Sequence, residues 1–417
     1  MASIGWIDFS PEHRNRVGTV LDLLKPEGMV DELGMGTIRD AIANELFPGI
    51  STIQTRAKYF FIVPYILYDF QNLKPIQRKG KNVVKFLEQK EYEVMWDLGD
   101  HYRALALDQK TRESFGVIGN TKNIRSKDFI VRRPSAIYWN GLNTYQFIKT
   151  GGLSAETFLK QMVNPNIESL LSSEVKSDDA NSDDADSDHQ NMFKLKVPFM
   201  KKWNENLTLE LTKDESEFFA DRVISISKNK LIAELLLNED LWSVFIAASN
   251  FMEFSKAAIS LNLSSELKSM LILAHDFSEV MYGAHLAYNC QLHHKVFNSN
   301  HHDATWNDWL ANIQTNMLDY HNFNPDKIFS YALTTKSSTM DFVKTWWQQT
   351  QLGFLDLNLR DNLIEKQEAI VKGSKARIRY KKTDDVKENY WQGLTYFDYR
   401  YNQGKTILKD IKSGLTK

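Results

Sequence analysis

Apolar residues recur along much of the chain at the spacing of an amphipathic helix. Near the start, Val17, Val20, Leu21 and Leu24 follow an i, i+3, i+4, i+7 pattern, which places all four on one helix face. Pro11 precedes them, between a serine and a glutamate, as is typical of a first helical turn. This pattern predicts an opening helix.

Pairs of capping residues predict further helix starts. Thr37 with Asp40, and Ser51 with Gln54, have the spacing of a capping box. The second pair leads into the most apolar run, residues 59–68, in which Pro64 predicts a kink. This run is about half as long as a membrane-spanning helix, so it predicts a buried helix in a protein that does not cross a membrane.

The helical pattern is strongest after residue 210. Thr212 and Glu215 form a capping box ahead of an apolar stripe, and residues 267–288 present a long apolar face. Further helix starts are predicted at Ser264 or Ser265, at Asn324-Pro325 and at Ser338-Thr339. Because no fixed-period repeat is visible, a solenoid is not indicated, and the prediction is a mainly α, multi-helix protein.

Residues 92–150 are less regular than the rest. They contain several glycines and two short apolar pieces, residues 129–131 and 136–139. Short strands and a small helix-and-ribbon unit are both compatible with this pattern. The prediction is therefore a small irregular or β-containing segment within a helical protein.

Residues 172–190 carry seven acidic side chains, one lysine and, apart from Val175, no large apolar residue. Such a segment buries too little surface to offset the entropy of ordering it, so it predicts a flexible loop or linker. The predicted domains are an N-terminal helical domain at 1–171 with an irregular basic segment, and a C-terminal helical domain at 191–417. The spacing does not decide whether 172–190 separates two domains or interrupts one.

Composition indicates the cellular compartment and the distribution of charge. The chain has 417 residues, a net charge of −2 and one cysteine, which fits a reducing cytosol. The first residues lack the basic and apolar regions of a signal peptide, so a cytoplasmic location is expected. Because residues 172–190 hold a charge of −6, the remainder is mildly basic, which permits a nucleic-acid partner without requiring one.

Several short blocks resemble a bacterial family known only as a domain of unknown function. They are residues 5–10, 31–34, 36–40, 47–49 and 51–59, with later similar blocks at 133–135, 137–139, 283–286, 399–400 and 410–411. The resemblance covers the whole chain, and the acidic stretch is long for the family. Members occur in antiphage defence gene clusters, so the resemblance implies a defence protein that works beside other subunits. It supplies no catalytic residues.

Known reactive motifs are incomplete in this sequence. Gly404-Lys405-Thr406 lacks the glycine that a phosphate-binding loop needs five positions earlier, where Tyr399 stands. Of the clustered histidines, His275 has a zinc-like i, i+4 partner in Glu279, whereas His285 falls in the apolar stripe and is interpreted as a core residue. No metal site and no cofactor are expected.

Catalytic patterns are equally weak. No nucleophile elbow is present, and Cys290 lies in a helical run. Asp31 and Glu32 are interpreted as solvated turn residues. The degenerate nuclease pattern fits residues 88–90 and 365–366, but neither follows a convincing strand. No catalytic residue is assigned, and a non-enzymatic protein is favoured over an enzyme.

Two basic segments with neighbouring aromatic residues are the candidate nucleic-acid contacts. Lys and Arg neutralise phosphates, and aromatic rings stack on bases; an ordinary solvated surface is the alternative. The candidates are Lys122, Arg125, Lys127, Arg132 and Arg133 in the first segment and Lys375, Arg377, Arg379, Lys381 and Lys382 in the second.

Arg39, Arg56 and Lys58 are the candidate pocket residues. They lie on predicted helices near Gly34, Gly36 and Gly49. A structural network in which the two arginines pair with Asp8, Asp31 or Asp40 is favoured over ligand binding.

Three functions follow from these patterns together with what the family resemblance implies. The first is an accessory or scaffold subunit of a bacterial antiphage defence system that binds partner proteins and, through its basic segments, DNA. The second is a divergent metal-dependent nuclease or other nucleic-acid-processing enzyme whose site comes from distant residues. The third is an adaptor or regulatory module that binds protein alone.

Overall fold

A computed structural model describes residues 31–78, 81–105, 109–119, 132–163, 197–200, 202–381, 388 and 390–417. The predicted opening helix, the apolar piece at 129–131 and the acidic segment at 172–190 lie outside these residues. Within the described ranges the regular structure is helical and contains no strand. The prediction of a mainly α, multi-helix protein is confirmed.

Nine described helices lie before residue 238. In chain order they are α1 (Gly36–Leu46), α2 (Tyr59–Gln71), α3 (Pro75–Arg78), α4 (Val83–Leu105), α5 (Gln109–Ser114), α6 (Pro134–Thr144), α7 (Ala155–Val163), α8 (Lys213–Ile226) and α9 (Leu231–Leu237).

Nine more described helices and two short 3-10 turns follow after residue 238. The helices are α10 (Glu239–Ala247), α11 (Phe251–Ala258), α12 (Ser265–Phe297), α13 (Asp303–Thr315), α14 (Pro325–Tyr331), α15 (Ser337–Gln351), α16 (Leu357–Lys372), α17 (Arg377–Tyr380) and α18 (Tyr401–Leu415). The 3-10 turns are Met317–Tyr320 and Gly373–Lys375.

The segment at 92–150 consists of helices and turns where it is described. Residues 92–105 belong to α4, and residues 136–139 fall inside α6 rather than in a strand. Turns at 115–118 and 145–148 account for the irregular pattern. The β alternative has no counterpart in the described part of this segment.

The predicted helix starts are confirmed where the capping residue lies directly before the helix. The Thr212–Glu215 box caps α8, Ser264 caps α12, and Asn324 caps α14. In each case a side-chain oxygen accepts a hydrogen bond from a backbone N–H of the first turn, which has no partner within the helix.

Two predicted capping-box starts are wrong, and the start predicted at Ser338-Thr339 is slightly late, because α15 begins at Ser337. Helix α1 begins before Thr37, and its first N–H groups are met by Asp31, whose carboxylate accepts from Met35 N at 2.8 Å and Gly36 N at 2.6 Å. Gln54 accepts from Ser51 N at 3.2 Å, but this bond closes a turn, and α2 begins only at Tyr59. Both pairs have the right spacing but sit beside a turn rather than at the helix start.

The chain forms two compact units, each built from separate stretches of sequence. One comprises Met1–Leu46 and Val244–Tyr399, and the other comprises Phe47–Ser243 and Arg400–Lys417. Among the described helices, none combines the length and apolar character needed to cross a membrane.

In the first unit, the 33-residue helix α12 packs against α11, α13, α15, α16 and α17. Gly283 allows the close approach of α13, because a Cβ atom there would overlap the ring of Trp309. The Trp309 indole donates to the Glu279 carbonyl at 3.2 Å, and Trp346 donates to the Val280 carbonyl at 3.0 Å. These bonds fix two tryptophans against the middle of α12.

In the second unit, α18 packs against α8 and α9, while α2 packs against α4 and α6. Aromatic rings fill the centre: Phe60 lies 4.7 Å from Phe219 and 5.0 Å from Tyr138, measured between ring centroids. The buried-helix prediction for residues 59–68 is confirmed, since α2 is buried over most of its length and continues through Pro64.

Candidate functional site

Lys58 is held in a buried ion pair of the second unit. Its ammonium lies 2.7 Å from each carboxylate oxygen of Glu215. Tyr65 donates to the same carboxylate at 2.8 Å, and so does the Thr212 N–H. Because Glu215 also belongs to the α8 capping box, the Lys58 charge is tied to the start of that helix.

Arg56 is bound on several sides within the same unit. Its Nε lies 2.9 Å from Asp410 Oδ2, and one Nη donates to the Phe115 carbonyl at 3.1 Å. Burial raises the pKa of Asp410, and Arg56 opposes that rise. The carboxylate that binds Arg56 therefore comes from α18 at the far end of the chain and not from the predicted Asp31 or Asp40. Asp8, the third predicted partner, lies outside the described residues.

Arg39 belongs to the first unit and pairs with its neighbour Asp40, 3.0 Å away. This is one of the predicted pairings. Arg56 and Lys58 lie instead in the second unit, so the three candidates fall into separate environments. The contacts favour structural roles for Arg56 and Lys58.

Only two candidates of the first basic segment are described. Arg132 is exposed, and Arg133 lies 3.5 Å from the buried carboxylate of Glu91. Glu91 also accepts from Ser135 N at 2.5 Å and Ser135 Oγ at 3.0 Å. The other members, Lys122, Arg125 and Lys127, lie outside the described residues.

The second basic segment is anchored through its backbone. The buried Glu368 carboxylate accepts from Arg377 N at 2.7 Å and from Ile378 N at 3.0 Å. Tyr288 donates to it at 3.1 Å. Ala376 and Ile378 point inward and are buried. Glu368 therefore fixes the start of α17 against α12 and α16.

Arg377 takes part in this anchoring. Its Nη1 lies 2.9 Å from Glu32 Oε1, and Lys372 lies 3.3 Å from the same oxygen. Glu32 is buried, so its interpretation as a solvated turn residue was wrong. Gly393 leaves room for this carboxylate, because a Cβ atom there would lie 2.8 Å from Glu32 Oε2.

The outer side of the segment is cationic. Lys375, Arg379 and Lys381 are exposed, and Tyr380 is 52% exposed. The Arg379 guanidinium lies 5.8 Å from the centroid of the Tyr380 ring. We call residues 375–381 the basic turn. Lys382, the remaining candidate, lies outside the described residues.

The burial of two acids on α12 was not predicted from the sequence, although Glu279 was considered as a partner of His275. Asp276 and Glu279 lie one turn apart on α12, and burial raises the pKa of each carboxyl group. Tyr396 donates to Glu279 at 3.2 Å. The available signal was the presence of two acids inside the apolar stripe at 267–288, since carboxylates are seldom buried without a partner.

Aromatic rings continue from these acids toward the surface. Tyr282 stacks on Tyr396 at 4.0 Å and on Trp391 at 5.6 Å, with interplanar angles of 12° and 7°. Carboxyl groups with raised pKa values occur often at functional sites and also in structural networks. Here the hydrogen bond from Tyr396 favours the structural role.

The remaining motifs lie in helices. Gly404 in α18 faces the Phe47 ring, and Lys405 follows it. His285 and Cys290 are both buried in α12, which confirms His285 as a core residue and places Cys290 in a helix, as predicted. Within the described ranges, no group of three or more His, Cys, Asp and Glu side chains is arranged to hold a metal ion.

The model of a family described as being of unknown function, DUF6361, matches residues 1–409. No curated protein and no solved structure matches the chain.

Proposed function

This chain belongs to the DUF6361 family of unknown function, and we propose that it is a non-enzymatic accessory subunit that binds nucleic acid through its basic turn. In this proposal the subunit works beside partner proteins in bacterial antiphage defence. The defence setting and the partners rest on the family resemblance. The basic turn itself supports nucleic-acid binding.

The observation that carries the proposal is the backbone clamp on the basic turn. Glu368 holds Arg377 N and Ile378 N, so the chain is fixed while Arg379 and Lys381 point outward. A fixed backbone lowers the entropy lost when these side chains contact phosphates. Tyr380 adds an exposed ring, and stacking on a base contributes about 1–3 kcal/mol.

The test is nucleic-acid binding by a double charge reversal, Arg379→Glu with Lys381→Glu. Binding of a labelled single strand and of the same sequence as a duplex would be followed by fluorescence anisotropy in low salt. We expect at least roughly tenfold weaker binding and a shallower dependence on salt, because fewer counterions are released. The matched control is Lys228→Glu with Lys327→Glu, which makes the same change in net charge at other exposed positions.

The outcomes separate the proposed functions. Equal affinity of both double variants would contradict a role for the basic turn. Cleavage of either substrate with Mg²⁺ or Mn²⁺ would support the alternative of a divergent nuclease. Failure of the wild-type chain to bind any nucleic acid or heparin, together with co-purification of a protein partner, would favour the protein-only adaptor.

A further inference from the structure

Three histidine rings meet where α12 ends and α13 begins. The ring centroids of His293 and His302 are 4.6 Å apart, and those of His301 and His302 are 4.8 Å apart. The third separation, between His293 and His301, is 6.4 Å. We call these residues the histidine cluster.

Two of the three rings are enclosed. His293 is fully buried and His302 is 8% exposed. His293 Nε2 lies 3.2 Å from the Tyr390 carbonyl, which can only accept, so this nitrogen carries the proton. His293 Nδ1 then keeps its lone pair. This atom and His302 Nε2 are buried and have no hydrogen-bond partner among the described residues.

The surroundings disfavour a positive charge on these rings. Burial and the neighbouring imidazoles lower the pKa of His302 to about 4, and burial also lowers the pKa of His293. Among the described residues, the other ionisable groups near the cluster include His294, which pairs with Asp303 at 2.9 Å, and Glu388 beside His293. Arg360, Asp361 and Asp303 act electrostatically on Cys290, which lies one turn before His293 on α12.

The cluster supports a short stretch of backbone, residues 390–392, which we call the strap. His293 holds the Tyr390 carbonyl. Asn289, one turn earlier on α12, accepts from Gln392 N at 2.8 Å and donates to Gln392 O at 3.0 Å. The Trp391 ring lies 5.7 Å from the ring of His302 and stacks on Tyr282. The strap therefore packs directly on the enclosed imidazoles.

We propose that the histidine cluster is an acid-sensitive latch for the strap. While His293 and His302 are neutral, they form a closed surface on which Trp391 packs and to which the Tyr390 carbonyl is bound. Protonation of either ring places a charge in an enclosed site that faces two further imidazoles. The strap then leaves α12, and water reaches the ring nitrogens. This proposal does not depend on nucleic-acid binding.

The direction of the pH dependence follows from proton linkage. A solvated imidazole has a pKa near 6.5, so the open form takes up protons below about pH 6.5 while the closed form stays neutral. The opening equilibrium should then rise about tenfold per pH unit for each proton taken up. Above pH 6.5 it should be independent of pH.

The experiment is hydrogen–deuterium exchange of the full chain in the presence of EDTA, followed at the peptide that contains Gln392. Rates are corrected for the intrinsic effect of pH on exchange. We expect at least about tenfold lower protection at pH 5.5 than at pH 7.5, while peptides from α8 keep their protection. Parallel loss in α8 would indicate global unfolding and would contradict a local latch.

Variants connect the effect to the cluster. In His293→Gln with His302→Phe, a side-chain amide can replace the donor to Tyr390 and no enclosed ring can be protonated. We expect protection of Gln392 that does not change between pH 7.5 and 5.5. The control His321→Gln removes an exposed histidine and should keep the wild-type profile. A cluster variant that retains the wild-type profile would overturn the proposal.

A mutation-free measurement covers the case in which the double variant does not fold. Protection of Gln392 in the wild-type chain is followed in half-unit steps from pH 8 to pH 5. The latch requires a plateau above about pH 6.5 and a decline of one to two orders of magnitude per pH unit below it. A flat profile, or a decline that begins at pH 8, would contradict the proposal.

Discussion

Glu91 is a fully buried carboxyl group that accepts two hydrogen bonds from Ser135. Burial raises its pKa to about 7, and these bonds together with Arg133 oppose the rise. Desolvation is the larger effect, so the folded protein keeps a proton on Glu91 at pH values where the unfolded chain loses it. The stability that comes from this group is present below the unfolded pKa, near 4.5, and is lost as the pH rises through 7.

We therefore expect Glu91→Gln to flatten part of the pH dependence of stability. Between pH 5 and pH 8 the free energy of unfolding of the wild type should fall by about 2 kcal/mol relative to the variant. Urea denaturation at four pH values measures this difference. Glu217→Gln, a change at an exposed carboxylate, should run parallel to the wild type. Parallel curves for Glu91→Gln would show that Glu91 has an ordinary pKa.

Lys58 and Glu215 form a buried ion pair. Replacing Lys58 with Met should cost about 3–5 kcal/mol of unfolding free energy, because the carboxylate stays buried without its counter-charge. Adding Glu215→Gln should recover more than half of this loss, since the amide oxygen can still accept from Thr212 N and the amide nitrogen can donate to the Tyr65 hydroxyl. Thermal and urea denaturation would measure both variants. A loss below about 1 kcal/mol for Lys58→Met would contradict the buried pair.

At the scale of helices, the sequence predicts the features that depend on contacts within a single helical turn. The Thr212–Glu215, Ser264 and Asn324 caps are bonds between residues two or three apart, so their spacing is visible in the sequence. Asp31 caps α1 from five residues before Gly36. Thr37 was predicted as the cap instead, because it has the spacing of a capping box. The anchoring of Arg377 N by Glu368 joins two helices through a loop, so periodicity alone gives no sign of it.

The crossing of α12 and α13 depends on the absence of a side chain at Gly283. The Trp309 ring occupies the space that a Cβ atom would need, and a ring is far less able to move than a flexible chain. Gly283→Ala should therefore cost about 1–3 kcal/mol through overpacking. In a Trp309→Leu background the same substitution should cost less than half as much, as measured by a double-mutant cycle in urea. Equal costs in both backgrounds would show that the ring does not fill this space.

At the scale of the whole chain, the division into compact units depends on contacts that linear patterns do not reveal. Composition marks residues 172–190 as a boundary, and the predicted domains at 1–171 and 191–417 stay a prediction. The two compact units instead each collect sequence from both halves of the chain. Arg56 shows the difficulty, because its carboxylate partner Asp410 is 354 residues away. Both residues lie in blocks that carry the family resemblance, but nothing in their spacing pairs them.

The C-terminal helix completes a unit that begins at Phe47, and this placement yields the last prediction. Ile411 of α18 is fully buried, and α18 packs on α8 and α9. Ile411→Ala should destabilise the second unit by about 2–5 kcal/mol. Hydrogen exchange should show the greatest loss of protection in α8 and α9 and a smaller one in α4.

Lys409→Ala is the matched control, because Lys409 lies two residues away on the exposed side of the same helix. It should leave exchange in all three helices unchanged. Wild-type protection of α8 in the Ile411→Ala variant would mean that the unit closes without α18. Loss confined to the last turn of α18 would lead to the same conclusion. The packing of α18 therefore predicts that the buried Ile411 side chain stabilises helices that lie almost 200 residues earlier in the sequence.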